Sequence, residues 1–134
     1  MRFSIKIIQG LSLFVIIFNK GTADKLILVT DSIRPQCCPD GMSGLGGQAV
    51  TVKNGSARLS NGALAGSIIT LPEALRHMRN ATGCSMLDIC KMVSMNPAKQ
   101  LKLAHDGSIK IGNQANFSVL DKEGENVKTF SSYF

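Results

Sequence analysis

The chain has 134 residues, about one domain's length, with 44% hydrophobic and 18% charged residues, a composition that excludes a disordered chain. The formal net charge is +6 and the isoelectric point about 9.4. Aromatic residues make up only 5% with no Trp, and Lys and Arg are spread along the chain rather than clustered. This speaks against a nucleic-acid surface, which wants stacking platforms and a basic patch; the charge is at least as compatible with a phosphorylated small molecule.

The first 23 residues have two readings. Arg2 and Lys6, the apolar stretch Ile7 to Phe18 and the small residues Gly21-Thr22-Ala23 resemble a secretory leader, which would place the protein outside the cell. The same stretch also reads as a helix stopped by Gly21 that feeds the following strand, the reading consistent with a cytoplasmic protein. It is too short for a membrane-spanning helix, which needs about 20 residues. No membrane partner is therefore expected.

Leu26 to Val29 reads as a strand buried on both faces, the kind found in covered parallel sheets. It runs directly into Thr30-Asp31-Ser32. Ile33 to Gly47, with Pro35, Pro39 and several Gly, reads as a loop. Gln48 to Lys53 and Ser56 to Ser60 alternate around Asn54-Gly55, a strong hairpin signal, and a second Asn-Gly follows at Asn61-Gly62.

Two helices are expected next. Thr70 and Glu73 make a capping-box pattern with Pro72 in the first turn, Leu71, Leu75, Met78 and Ala81 or Thr82 share one face, and Gly83 ends the helix. Ser85 and Asp88 repeat the cap for Met86 to Met95, and Pro97 begins a short third helix to Leu103. After the turn His105-Asp106-Gly107, strands are expected at Ser108–Ile111, Asn116–Leu120 and Val127–Phe130. Since the other strands read as antiparallel and half-exposed, Leu26–Val29 has no partner of its own kind.

Cys37, Cys38, Cys84 and Cys90 form no CxxC pair, and His77 and His105 are isolated, so ligand spacing for a zinc finger is lacking. Free thiols in a reducing compartment are the simpler reading; two disulfides in a secreted chain are the alternative.

Taken in order, "KGTADKLILVTDS", "LGGQAVTVKNGSARLSNGALAGSIITLPEALRHM", "TGCSMLDICKMVSMNPAKQL" and "GSIKIGNQANFSVLD" resemble the N-acetylglucosamine-6-phosphate deacetylases of the amidohydrolase superfamily. The resemblance covers about residues 20–121 and corresponds to the last third of a family member. It implies an α/β fold, here the C-terminal fragment of a (β/α)8 barrel plus part of a small β-sandwich. The divisions expected are 1–24, a poorly matching helix or leader-like segment; 25–44, the last barrel strand and active-site loop; 45–62, a hairpin; 63–104, barrel-terminal helices; and 105–134, sandwich strands.

The resemblance also implies function: hydrolysis of the acetamide of an amino-sugar phosphate, assisted by a divalent metal, zinc or iron. Asp31 is implied as the general base and then acid, at the C-terminal end of a barrel strand where such sites sit. Leu64, Ala65, Gly66 and Ser67 are implied as the substrate-contacting loop, and family members are often homo-oligomeric. The residues themselves leave other roles open, a turn-capping carboxylate for Asp31 and a tight turn for Gly66-Ser67. The family's metal-binding glutamate and histidines are missing, so this chain alone is expected to be inactive. Ser32, where alanine is common, the Gln36-Cys37-Cys38 insert and Asn116, where aspartate is frequent, depart from the pattern. A secreted, basic, β-rich interaction protein and a non-catalytic remnant are the competing expectations.

Overall fold

The structure, a computed structural model, describes residues 3–6, 22–124 and 126–131. Strand β1 (Phe3–Lys6) lies parallel to β2 (Leu26–Val29), in a register running from Phe3 opposite Leu26 to Lys6 opposite Val29. This corrects one expectation: the apolar strand does have a parallel partner, Phe3–Lys6, within the segment read as helix or leader-like. Of that segment, Ile7 to Gly21 lies outside the described residues.

A single 3-10 turn (Ala23–Lys25) leads into β2. Burial along β2 alternates: Leu26 and Leu28 are 0% and 3% exposed, whereas Ile27 and Val29 are only half-buried. Two-sided burial was expected; one face is covered. The covered face packs on the helices, forming a core of Leu26, Leu28, Leu75, Met78, Ile89 and Met92.

The segment expected to be a loop contains a strand. β3 (Gly41–Leu45) pairs antiparallel with β4 (Gln48–Lys53) across Gly46-Gly47. Both turn glycines have positive φ, 55° and 82°, which matches the right-handed twist a two-residue hairpin needs. β4 turns into β5 (Ser56–Leu59) through Asn54-Gly55, with φ of 50° and 71°, as the sequence predicts. β6 (Leu64–Gly66) completes a four-stranded meander in the order β3-β4-β5-β6. Val50, Val52 and Ala57 on its inner face make a second core with Ile33, Leu45, Leu59, Ala65 and Ile68.

Helix α1 (Leu71–Thr82) follows, with the predicted capping box at Thr70 and Glu73 and a left-handed Gly83 at its end. Its buried face is Ala74, Leu75 and Met78; Leu71, at the first helical position, is 41% exposed. Helix α2 (Met86–Cys90) has its own box at Ser85 and Asp88. It continues without a break through a wide π turn (Lys91–Met95) into α3 (Asn96–Gln100). Two separate helices were expected here. Pro97 has no N–H to donate and its ring would crowd the Val93 carbonyl in a regular α-helix. Widening the turn, with the Asn96 N–H bonded five residues back to Lys91, relieves that conflict without ending the helix.

Strands β7 (Phe117–Leu120) and β8 (Asn126–Phe130) form a two-stranded sheet, as predicted. Ser108–Ile111 is not a strand. Its neighbourhood is held as a loop by the Gln114 N–H donating to the His105 carbonyl and the Asn113 amide donating to the Ser108 carbonyl. Ile109 and Ile111 consequently stand in solvent.

Candidate functional site

The two cores meet at the end of β2. Leu26 and Leu28 belong to the helical core, and Ile33, five residues beyond Leu28, belongs to the core under the meander. Asp31 sits on the short connection between them. It is exposed and has φ of 51°, a left-handed conformation that few non-glycine residues adopt. Such a backbone persists where its surroundings over-determine it.

Those surroundings come from the segment Leu64 to Thr70. Ser32 forms a parallel bridge with Ser67, and the Ile33 N–H donates to the Ser67 carbonyl at 2.8 Å. The Ser32 hydroxyl and the Gln36 side-chain amide both donate to the Ile69 carbonyl, each at 2.6 Å. Asp31 is thus held between a strand on one side and a three-bond clamp on the other. The clamp residues Ser32, Gln36 and Ile69 were not among the predicted site residues. A serine where the resembling family commonly has alanine was the available signal, since a hydroxyl there needs a partner when half-buried.

The structure brings the other predicted residues to the same place. Leu64, Ala65 and Gly66 are β6, and Ser67 follows as the partner of Ser32. Leu64, Ala65 and Gly66 are half-buried, Ser67 is 8% exposed, and its hydroxyl accepts from the Ile69 N–H at 3.3 Å. Gly66 is needed for packing: a Cβ there would lie 2.7 Å from Ile33 Cγ2. The glycine therefore lets β6 approach the connection that carries Asp31.

β2 is fixed from behind. Asn96, 7% exposed, donates from its single amide nitrogen to the Ala23 carbonyl at 2.7 Å and the Leu26 carbonyl at 2.6 Å. It thereby brackets the start of the strand whose other end carries Asp31. Lys91 on the π turn adds an ion pair to Asp24 at 3.0 Å.

Among the described residues two carboxylates are electrostatically perturbed, and both serve caps. The Glu73 carboxyl is held below its ordinary range by the Thr70 N–H first and the Thr70 hydroxyl second. The Asp88 carboxyl is lowered by the Ser85 hydroxyl and then the Ser85 N–H. His77 and His105 are exposed, on α1 and in a turn. Among the described residues no three His, Cys, Asp or Glu side chains come together to hold a metal ion, so the donors in this chain do not by themselves fit a metal centre. No described helix is long and apolar enough to cross a membrane.

The chain matches the amidohydrolase family over residues 16–132. It is 45% identical over 100 residues to an N-acetylglucosamine-6-phosphate deacetylase of Lysinibacillus sphaericus, covering 75% of this chain and 26% of that protein. It is 44% identical over 111 residues to the enzyme of the same name from Bacillus subtilis, covering 82% and 28%. The crystal structure of the N-acetylglucosamine-6-phosphate deacetylase from Thermotoga maritima superposes with a TM-score of 0.91 at 31% identity, over 97% of this chain and 37% of that one. The chain spans about a quarter of the length of the two sequence relatives.

Proposed function

The chain belongs to the amidohydrolase family, and on that premise we propose that it supplies one part of an N-acetylglucosamine-6-phosphate deacetylase. The reaction is hydrolysis of the acetamide of N-acetylglucosamine 6-phosphate to glucosamine 6-phosphate and acetate, a step of amino-sugar catabolism. Superposition on the Thermotoga maritima enzyme across 97% of the chain is the observation that carries this reading. β2 is then the last strand of a (β/α)8 barrel, β1 its parallel neighbour, and β7–β8 part of the small sandwich. The free thiols of Cys37, Cys38, Cys84 and Cys90 suit a cytoplasmic protein. The secreted interaction protein is not favoured by these matches.

In this reading Asp31 handles the proton. Its carboxylate accepts a proton as water adds to the acetamide carbonyl, and returns it to the nitrogen as the C–N bond breaks. An exposed carboxylate at the C-terminal end of a barrel strand is where such chemistry is found. The clamp from Ser32, Gln36 and the Ser67–Ile69 segment keeps it there, and β6 presents Leu64 to Ser67 alongside for contact with the sugar. Amidohydrolases are generally metal-dependent. The metal's ligands are not among the described residues of this chain, so catalysis requires barrel strands that carry them.

The test is acetate release from N-acetylglucosamine 6-phosphate. The chain alone, with zinc or iron added, is expected to release none. A chimera in which residues 22–131 replace the matching segment of the Bacillus subtilis enzyme is expected to release acetate. A folded chimera without activity would contradict the proposal.

A further inference from the structure

Two cysteines lie in the loop beyond Asp31, and the proposed deacetylation gives them no part. Cys37 and Cys38 are both exposed, whereas Cys84 is buried and Cys90 is exposed but distant in sequence from any other exposed thiol. The pair closes a tight turn. The Gln36 N–H donates to the Ile33 carbonyl at 3.0 Å and the Cys38 N–H to the Pro35 carbonyl at 3.1 Å. Cys37, third residue of the Pro35–Cys38 turn, has φ of 60°, the left-handed value that a type II turn demands there and normally fills with glycine. The Gln36 side chain anchors the turn to the Ile69 carbonyl. The backbone is thus fixed while both cysteines are exposed.

Neighbouring Cα atoms are about 3.8 Å apart across a trans peptide, below the roughly 4.4–6.8 Å that a disulfide prefers. A direct S–S bond between these residues is therefore strained. A bridging atom between the two sulfurs enlarges the ring and removes that strain. We propose that Cys37 and Cys38 form a two-thiol site that a soft trivalent centre, specifically an organic arsenical, bridges. The exchange balances without an oxidant: two S–H bonds break, two As–S bonds form, and the oxygen of the arsenic oxide leaves as water with both protons. The site stands independently of the deacetylase reading.

Phenylarsine oxide on the intact chain, followed by iodoacetamide and mass spectrometry, tests it. One arsenic per chain is expected, with Cys37 and Cys38 protected together and Cys90 alkylated. Release by excess glutathione should be slower than from Cys37→Ser or Cys38→Ser by roughly a hundredfold or more, the order that tethering a second contact supplies. Cys90→Ser should behave as the parent chain. An adduct on Cys84 or Cys90, no adduct, or equal release from the parent and the single variants would overturn the proposal.

Discussion

Gly66 and Ile33 touch at the point where the two cores meet, and each constrains the other. A Cβ at position 66 would lie 2.7 Å from Ile33 Cγ2, a branch atom close to the backbone that moves only with a change of the stiff χ1. Gly66→Ala should therefore cost on the order of 1–3 kcal/mol, the range for overpacking a filled site. Ile33→Ala removes the offending atom, so the double variant should lose less than the sum of the two single variants. Urea unfolding of the four species measures the coupling; strict additivity would contradict the contact. Glu73 and Asp88 are both held below their ordinary values in the folded chain. Groups of that sign contribute stability that is complete above the unfolded carboxyl range, about pH 4, and lost as the pH falls through the lower folded values. Thr70→Ala should cost about 1 kcal/mol at neutral pH, the usual worth of an N-cap. Glu73→Gln, which removes the titrating group that the Thr70 N–H and hydroxyl hold low, should flatten the acid loss of helix followed by circular dichroism. An unchanged acid profile would contradict the account of Glu73.

At the scale of elements, β2 is positioned from its first residue by the π turn. Asn96 reaches two carbonyls that bracket the strand's start, and both are shielded from water. Asn96→Ala leaves them without that donor, at about 1–3 kcal/mol for each unsatisfied group. Asn96→Asp should be worse, because an ionised carboxylate would face two carbonyl oxygens. Thermal unfolding of both variants reads the order. Elements whose signals are local were legible in the sequence: the Asn54-Gly55 hairpin, the two capping boxes and the β7–β8 pair each follow from a few adjacent residues. Those set by distant partners were not. β3, Gly-Met-Ser-Gly-Leu, carries too little alternation to announce itself and becomes a strand because Gly46-Gly47 folds it onto β4. Ser108–Ile111 has the alternation and fails to pair, because side-chain and backbone bonds hold it as a loop. The candidate site divides the same way. Asp31 and Leu64–Ser67 are visible through the family resemblance, whereas the clamp on the Ile69 carbonyl depends on a fold that juxtaposes residues more than thirty apart in sequence.

Across the whole molecule, the described chain is two small cores joined by a connection that carries a carboxylate. The helical core holds the strand that ends before Asp31, and the meander core holds the residue that follows it, Ile33. The backbone position of Asp31 is set where the two cores meet. Ile27 and Val29 are half-buried, and Phe117, Val119 and Phe130 of the small sheet are exposed, as the proposed function expects of strands that pack on further strands. In the proposed function Asp31, held at this junction, moves the proton in deacetylation. The kinetics of Asp31→Asn in the Bacillus subtilis chimera decide whether it does. The carboxamide keeps the shape and loses the base, so kcat should fall by about a hundredfold to ten-thousandfold with KM little changed, the range general acid–base catalysis supplies. An Asp31→Asn chimera that releases acetate at the parent rate would contradict it.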